Sequence, residues 1–573
     1  MWRRWLSCIS FGTALALVLI LAPACADQSG DSLFVDASGT SAGNGTPRNP
    51  FNTISGALKA ARDRHLSGTA HGTMVIHVAA GAYTEPPLTI DFPDVQLIGA
   101  GPQATLIQAD GSPSVNSSFV LVAARRVTMA QVMLSPAARG YPDSLGDPNA
   151  PAATVNNYQR SSPERGILIE GPDITIRDCI VEGFDFGIET EANTAAEAPQ
   201  DVPGTTSLKV LNNVVKARAV AISILDGYGS RIAYNDVWHA SGTSIGIRLG
   251  FNSDFNVVTH NAVYGPSRAQ EVGVGSVGDT PLLPGTPGAQ AVNDANASIH
   301  VVGRGGLDQG ATETTGIPEG NEISSNTVEH PLDSLVGVGI QISFRSRDTV
   351  VSGNTVTRGN RGIAISGVAN NPVPEPQGVD GRVFNTWVGT GVTLSSGAPT
   401  EGNTLIGPFR FNSLIRGFGT AIGMGPNVNT VVRGNTIDGF GIAGQGTTLI
   451  GIAMSSDSLE TAEVSHNVVF NVDRALNLAP GAGAAFFGAR IFLNDFTRYT
   501  TAVNVGAGYN LTSLLSADGK GNYWGLDCSS GGFDPTKVIK APGVTVDVED
   551  DHPYGVAVSE LSDAELATTP TCQ

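Results

Sequence analysis

The chain has 573 residues, of which 71 are glycine, 15% are charged and 6% are aromatic. Its formal net charge is −19 at pH 7, which disfavours nucleic acid and anionic membranes as partners, since both are bound through basic surfaces. The same charge disfavours unaided binding of a polyanionic glycan, unless calcium bridges the charges. Abundant glycine beside short apolar runs is typical of a turn-rich all-β protein.

Residues 1–26 have the pattern of a secretory signal peptide. Arg3 and Arg4 precede a short apolar run, and small residues surround Cys25, so we predict cleavage near Ala26. Two alternatives are lipid attachment at Cys25 and a twin-arginine signal at Arg3 and Arg4. No other apolar run is long enough to span a bilayer. We therefore expect a secreted, cell-surface or periplasmic protein of a bacterium, with no transmembrane segment in the mature chain.

Residues 27–118 predict an N-terminal cap followed by the first coils. A strand, LFVDA, comes before a loop rich in glycine and proline. Apolar residues at Ile54, Leu58 and Ala61 then follow helical spacing. A second strand, MVIHV, comes next. A strand, a helix and a strand in this order would cover one open end of a repeated structure, which otherwise exposes strand edges and core.

Residues 119–525 contain a repeat marked by an asparagine at a sharp turn. The segment from Val350 to Gly367, VVSGNTVTRGNRGIAISG, shows the pattern: two short strands on either side of Asn354, then a third strand after a glycine turn. Successive asparagines often lie roughly 22 to 28 residues apart, a spacing typical of stacked solenoid coils. The predicted turn residues are Asn213, Asn235, Asn261, Asn326, Asn354, Asn412, Asn435, Asn467, Asn494 and Asn522, with Asp178 in the equivalent place.

The third strand of each coil has a motif of its own, seen in GIAIS at Gly362. Its two apolar residues alternate with a variable residue, so we expect the apolar pair to face inward and the variable residue outward. Outward residues of adjacent coils should lie roughly 5 Å apart. The predicted outward column is Glu189, Ser223, Arg248, Gln341, Ala364, Gly423, Ala453, Asn477 and Asn504.

On these repeats the chain resembles right-handed parallel β-helix proteins of the pectate-lyase-like superfamily. The resemblance implies an all-β fold: a single right-handed parallel β-helix solenoid with an N-terminal helix-containing cap and a C-terminal tail at residues 526–573. It also implies structural roles for His77, Tyr83 and Glu85 in the cap, and stacked asparagine side chains along the solenoid.

The resemblance further implies a secreted carbohydrate-active protein whose partner is a polysaccharide, acted on by β-elimination or hydrolysis. The alternative is a non-catalytic cell-surface or binding scaffold, because one superfold hosts many functions. We expect a monomer. Cys528 and Cys572 form the expected disulfide, which would hold the tail against the last coil, whereas Cys179 is expected to be an inert core thiol.

Candidate site residues come from the charged part of the outward column and the turns that follow it. Two carboxylates would support acid–base hydrolysis, whereas carboxylates that hold calcium, with an arginine as base, would support β-elimination. The alternative is that they form ordinary ion pairs between coils. The candidates are Glu189, Asp226, Arg248 and Arg345 for catalysis, Tyr228, Asp254 and Gln341 for substrate binding, and Glu189, Glu191 and Asp226 for calcium.

Overall fold

The computed structural model of the chain describes residues 31–40, 42–112, 117–138, 161–190, 205–239, 244–265, 297–303, 316–331, 337–366, 381–409, 419–440, 449–454, 459–478, 489–505, 520–525, 539–540 and 557–562. The expected signal peptide, Glu191, Cys528 and Cys572 all lie outside these residues. The lipid-anchor and disulfide assignments therefore stay predictions. No helix in the described ranges is long and apolar enough to cross a membrane.

The chain forms the expected right-handed parallel β-helix, in which each full coil passes through three faces, A, B and C. Face A is a 14-stranded parallel sheet. Its strands are Ser32–Thr40, Met74–Val78, Val95–Gly99, Val127–Ala130, Thr175–Arg177, Lys209–Leu211, Arg231–Ala233, Val257–Thr259, Glu322–Ser324, Val350–Ser352, Trp387–Gly389, Val431–Arg433, Glu463–Ser465 and Arg490–Phe492.

Faces B and C join into one sheet because four long strands bend from one face into the other: Ile180–Thr190, Val214–Leu225, Val468–Leu478 and Asp495–Val505. The other face B strands are Gly81–Glu85, Thr105–Ala109, Met133–Ser135, Asp236–His239, Ala262–Tyr264, Thr327–Glu329, Thr355–Gly359, Thr404–Phe409 and Thr436–Asp438. The other face C strands are Leu88–Ile90, Ser118–Val122, Arg165–Ile169, Ile245–Gly250, Ala297–Val302, Val338–Ser343, Arg361–Ser366, Gly419–Met424, Leu449–Met454 and Ile539–Lys540.

The core consists of stacked aliphatic side chains, one inward column for each face. In one coil these residues are Val351 on face A, Val356 on face B and Ile363 on face C, all fully buried. In-register pairing places the same residue types above and below them. Each such side chain stabilises the fold by about 1.5–3 kcal/mol relative to an exposed one, so the repeat's alternation encodes one continuous core.

A ladder of buried asparagines follows the corner between faces A and B. Each side-chain amide donates to the side-chain oxygen of the next asparagine at 2.9–3.0 Å. Each also donates to a backbone carbonyl, as Asn354 does to that of Ile323. The ladder predicted from the sequence is therefore confirmed. Its members are Asn213, Asn235, Asn261, Asn326, Asn354, Asn403, Asn435, Asn467, Asn494 and Asn522.

Two predicted ladder positions were wrong. Asn403 binds Asn354 and Asn435, so it holds the place that we assigned to Asn412, which lies outside the described residues. Cys179 holds the place assigned to Asp178, because its backbone amide donates to the side-chain oxygen of Asn213. Asp178 has a left-handed φ of 54°, like the residues that precede most ladder asparagines, and its carboxylate accepts from Asn212.

The glycine of the third-strand motif is required by the close approach of adjacent coils. A Cβ on Gly362 would lie 2.4 Å from Leu405 Cδ2 and 2.6 Å from the carbonyl oxygen of Ala421 in the next coil. Gly339 shows the same crowding one coil earlier, against Val356 and the carbonyl oxygen of Gly362. Small residues therefore recur here for steric reasons.

The helix Ile54–Leu66 packs Ile54, Ala57, Leu58 and Ala61 into the main core at the N-terminal end. The buried carboxylate of Glu85 accepts from the backbone amides of Ile54 and Ser55 at 2.6 and 3.2 Å. The Tyr83 hydroxyl donates to the carbonyl of Ala79. Both residues therefore have the structural roles expected of them. At the other end of the core, Trp524 is buried and stacks on Phe496.

Candidate functional site

The predicted outward column of face C exists and is in register. Pairing connects Glu189 to Ser223, Ser223 to Arg248, and Gln341 to Ala364. A further member of the column that was not predicted is His300, which lies between Arg248 and Gln341. Its strand Ala297–Val302 lacks the motif glycine and follows a long insertion. The alternation of Ile299 and Val301 about His300 was the signal that could have revealed it.

Most side chains in the polar part of this column are buried. Glu189 is 6% exposed, His300 3% and Gln341 1%. The side chains of Arg248 and of Arg165, which lies one coil before Glu189, remain 22% and 30% exposed. The polar part of the column is therefore open to solvent chiefly at Arg248, with Arg165 beside it.

Glu189 is held between the two arginines. Its carboxylate accepts from Arg165 Nε at 2.6 Å and from Arg248 Nη2 at 3.4 Å. Arg248 also donates to the Ser223 hydroxyl at 2.9 and 3.1 Å. Burial lowers the pKa of Arg248, and the charge of Glu189 opposes that shift. Both oxygens of Glu189 thus face guanidinium groups, which is a poor arrangement for a calcium ligand.

Asp226, the second predicted calcium ligand, is also engaged. It is 6% exposed, and its Oδ1 accepts from the backbone and side-chain amides of Asn252 at 3.2 and 3.1 Å. Within the described part of the chain, no group of three or more His, Cys, Asp or Glu residues is arranged to hold a metal ion. Glu191, the third predicted ligand, lies outside that part. The calcium site stays a prediction, and Glu189 and Asp226 do not fit it well.

Arg345 is not brought to Glu189. Arg345 follows the strand that contains Gln341. Gln341 lies four coil steps from Glu189 along the outward column, which is roughly 19 Å at 4.8 Å per step. Arg345 is 4% exposed and has a left-handed φ of 62°. The structure therefore brings together Glu189 and Arg248 of the predicted catalytic set, but not Arg345.

A second column follows the corner between faces C and A. Bridges connect Tyr228 to Asp254, Glu319 to Arg347, and Arg347 to Phe384. Asp254 and Glu319 are also neighbours, because Asp254 Oδ1 accepts from the backbone amide of Glu319 at 2.9 Å. We call Tyr228, Asp254, Glu319, Arg347 and Phe384 the corner column. Tyr228, Asp254 and Arg347 were noted from the sequence as separate turn residues, whereas Glu319 and Phe384 were not.

Left-handed residues make the turn that follows this column. Phe255 has φ 54°, Gly320 φ 64° and Asp348 φ 49°, each one residue after a member of the corner column. The next residue in each coil is buried, and Asn256 donates to the side-chain oxygen of Asn321 at 3.1 Å. The corner is thus a second stacked turn, and it fixes Asp254 and Glu319 in adjacent coils.

Asp254 has an unusual electrostatic environment. Burial raises the pKa of its carboxyl to about 6, and the charges of Glu319 and Asp226 act in the same direction, while the amide of Glu319 opposes the shift. Beside it, Tyr228 and Phe255 are 44% and 52% exposed, with their rings edge to face at 5.5 Å. Such a site offers a proton donor at weakly acidic pH next to an apolar surface.

Comparison with protein-family models and with curated proteins finds no match. Solved structures do match. The Dettilon tailspike protein is 15% identical over 80% of this chain and 69% of its own, with a TM-score of 0.44. A DFA-IIIase from Arthrobacter chlorophenolicus A6, in complex with DFA-III, is 15% identical over 90% of this chain and 98% of its own, with a TM-score of 0.39.

Proposed function

We propose that the chain is an exported carbohydrate-active protein that hydrolyses a glycosidic bond at the corner column. The observation that carries this proposal is the placement of two carboxylates, Asp254 and Glu319, on adjacent coils beside two exposed aromatic rings. Glycoside hydrolases use a pair of carboxyl groups on either side of the scissile bond. Exposed aromatic rings provide apolar surface for the faces of sugar rings.

The two carboxyl groups take different roles in this mechanism. Asp254, whose pKa is raised to about 6, protonates the leaving oxygen as the glycosidic bond breaks. Glu319 is more exposed, and its carboxylate attacks the anomeric carbon. Water then attacks the glycosyl ester and gives its proton to Asp254, which frees Glu319.

Hydrolysis with retention of configuration is the outcome that the spacing favours. Adjacent coils lie roughly 4.8 Å apart, and retaining enzymes hold their carboxyl groups about 5–5.5 Å apart. Elimination has less support, because Glu189 is paired with two arginines and Asp226 accepts from Asn252.

The test is a glycan-panel assay that follows reducing ends and, in parallel, absorbance from unsaturated uronates. Asp254→Asn and Glu319→Gln should each lower the rate of reducing-end release about 10²–10⁴-fold. Glu460→Gln is the matched control, because Glu460 lies in the same register three coils beyond Arg347. We expect this control to keep the wild-type rate.

Three outcomes would contradict the proposal. Absorbance from unsaturated products would establish elimination instead. Full activity in both carboxylate variants would remove the corner column from the reaction. A folded wild-type protein that releases no reducing ends from any glycan would support the non-catalytic scaffold.

A further inference from the structure

We infer that the corner column also contains an anion subsite, formed by Arg347 on the ring of Phe384, and that the glycan bound here carries acidic sugars. The inference rests on the proposed function for the location of the glycan, and it adds the chemical class of that glycan. Its basis is the environment of one exposed arginine in a chain whose net charge is −19.

Arg347 is held in place without being neutralised. Its guanidinium carbon lies 5.2 Å from the centroid of the Phe384 ring, and that of Arg382 lies 5.6 Å from the same ring. No carboxylate of the described residues forms an ion pair with Arg347, although Glu319 and Asp348 are its neighbours in the corner. Contact with the ring limits the conformations of the side chain while leaving its hydrogen-bond donors available.

The register places this arginine beside the proposed catalytic pair. Arg347 bridges to Glu319, and Glu319 contacts Asp254. Arg347 therefore lies one coil from Glu319 and two coils from Asp254. At roughly 4.8 Å per coil, a glycan bound along the corner column meets the carboxylates and the guanidinium in succession. At its two ends the column has aromatic rings, those of Tyr228 and Phe384.

The chemistry of the subsite specifies an anion. A guanidinium group binds a carboxylate or a sulfate through two parallel hydrogen bonds, and such charge-assisted bonds are stronger than neutral ones. Because Glu319 and Asp348 are neighbours of Arg347 and Asp254 lies two coils away, a densely charged polyanion would be repelled. The subsite therefore suits a glycan with acidic sugars at intervals.

Binding is measured with Asp254→Asn, in which cleavage should be about 10²–10⁴-fold slower. The probes are polygalacturonate partly reduced at its carboxyl groups, the fully reduced neutral polymer, and lightly sulfated dextran beside plain dextran. We expect the partly acidic uronate to bind more tightly than its neutral form, and the preference to shrink as salt increases. A preference for sulfated over plain dextran alone would identify sulfate as the anion.

Adding Arg347→Gln to the Asp254→Asn protein should weaken binding of the acidic probe roughly three- to tenfold and leave binding of the neutral probe unchanged. Arg490→Gln is the matched control, since Arg490 also stacks on a phenylalanine, Phe492 at 5.8 Å, but lies on face A and pairs with Glu463. This control should bind as Asp254→Asn alone does. Circular dichroism and melting curves establish that all variants are folded.

The two proposals fail differently. Equal binding of acidic and neutral probes, or equal effects of Arg347→Gln and Arg490→Gln, would overturn the anion subsite even if hydrolysis occurs. Salt-sensitive acidic binding that depends on Arg347, with no cleavage by the wild type, would uphold the subsite and overturn the hydrolase.

Discussion

At the scale of single residues, the fold creates acids and bases with unusual pKa values by burying them in its coils. Asp254 is half-buried next to two further carboxylates, so its proton is held more tightly than in water. Three buried histidines show the opposite effect, because burial lowers the pKa of His239 and His300 to about 3 and that of His330 to about 4. Both effects lead to measurable pH dependence.

The first prediction concerns activity. If Asp254 donates the proton, kcat/KM should fall about tenfold per pH unit above pH 6, because the acid form of the free enzyme is lost there. Steady-state rates between pH 4 and 8 on the glycan identified by the panel measure this. A profile that stays flat up to pH 8 would contradict the assignment of Asp254.

A second prediction concerns the stability cost of the same residue. The folded pKa of Asp254 lies above the usual 3.8, so the native state binds the extra proton and stability falls as pH rises from about 4 to about 6. Asp254→Asn should therefore raise the unfolding free energy at pH 7 by about 1–2 kcal/mol, after allowance for partial solvent exposure, while activity is lost. Denaturant melts at pH 4 and 7 test this, and no gain at pH 7 would count against it.

The third prediction concerns the buried histidines. His239 and His330 bind the Ser298 hydroxyl from either side at 3.2 and 3.3 Å. Their folded pKa values lie below 6.5, so the unfolded state binds more protons and stability is lost as pH falls from 6.5 towards 4. For His330 this loss is up to about 3 kcal/mol.

His330→Gln should remove that part of the acid sensitivity, so its unfolding free energy should decline less between pH 6.5 and 4 than that of the wild type. The exposed His260 supplies the control His260→Gln, which should follow the wild-type curve. Parallel declines in all three proteins would contradict the prediction.

At the scale of the element, we expect the turn asparagines to contribute more to stability than the outward residues of the strands. An asparagine side chain in the ladder satisfies buried backbone groups of its own coil and of the preceding one, as Asn354 does for Ser352 and Ile323, so its removal leaves those groups without hydrogen bonds. Asn354→Ala removes the bonds to Asn403 and to the carbonyl of Ile323 and should cost about 2–4 kcal/mol. Thr357→Ala, an outward position on the same coil, should cost less than 1 kcal/mol. Similar values for both variants in denaturant melts would contradict the structural role of the ladder.

The sequence predicts the coils well where strand and turn signals agree, as they do around Asn354 and Gly362. It fails where an insertion separates them. In the coil that ends at Asn403, the spacing from Asn354 grows to 49 residues. Asn412 was chosen because it lies 23 residues before Asn435, which is nearer the repeat than the 32 residues that separate Asn403 from Asn435. In the case of His300, the long insertion hid the strand, and with it the neighbour of Arg248.

At the scale of the whole molecule, Glu85 holds the capping helix against the N-terminal end of the solenoid. Glu85→Ala would leave the buried amide of Ile54 and the partly buried amide of Ser55 without this acceptor, at a cost of about 1–3 kcal/mol. Since stability in a solenoid is carried by contacts between neighbouring coils, we expect loosening of the helix and first coils before the rest. Hydrogen exchange should show faster exchange there but not around Asn435. Asp110→Asn, an exposed carboxylate in the same region, is the control, and a uniform change along the chain would contradict local unfolding.

The candidate site was harder to predict from the sequence than the fold, because its contacts join coils that are far apart in the chain. From the sequence, Glu189 and Arg248 were predicted to lie in one column with Ser223 between them, and this is confirmed, because all three lie in clear third-strand motifs. The sequence could not bring Glu319 to Asp254, because 65 residues separate them in the chain and one coil step separates them in space. Contacts between coils depend on register, and register across an insertion is set by the ladder rather than by sequence distance.

The asparagine ladder also has a consequence for how the protein could evolve. Successive ladder asparagines are separated by between 22 and 65 residues of chain. Each side-chain amide nevertheless occupies the equivalent position at the corner of its coil. A whole coil from one ladder asparagine to the next is thus an interchangeable cassette. Excising residues 355–403 would join Asn354 to the segment that follows Asn403 in phase, so gene duplication or loss of such cassettes could lengthen or shorten this protein without redesigning its interior.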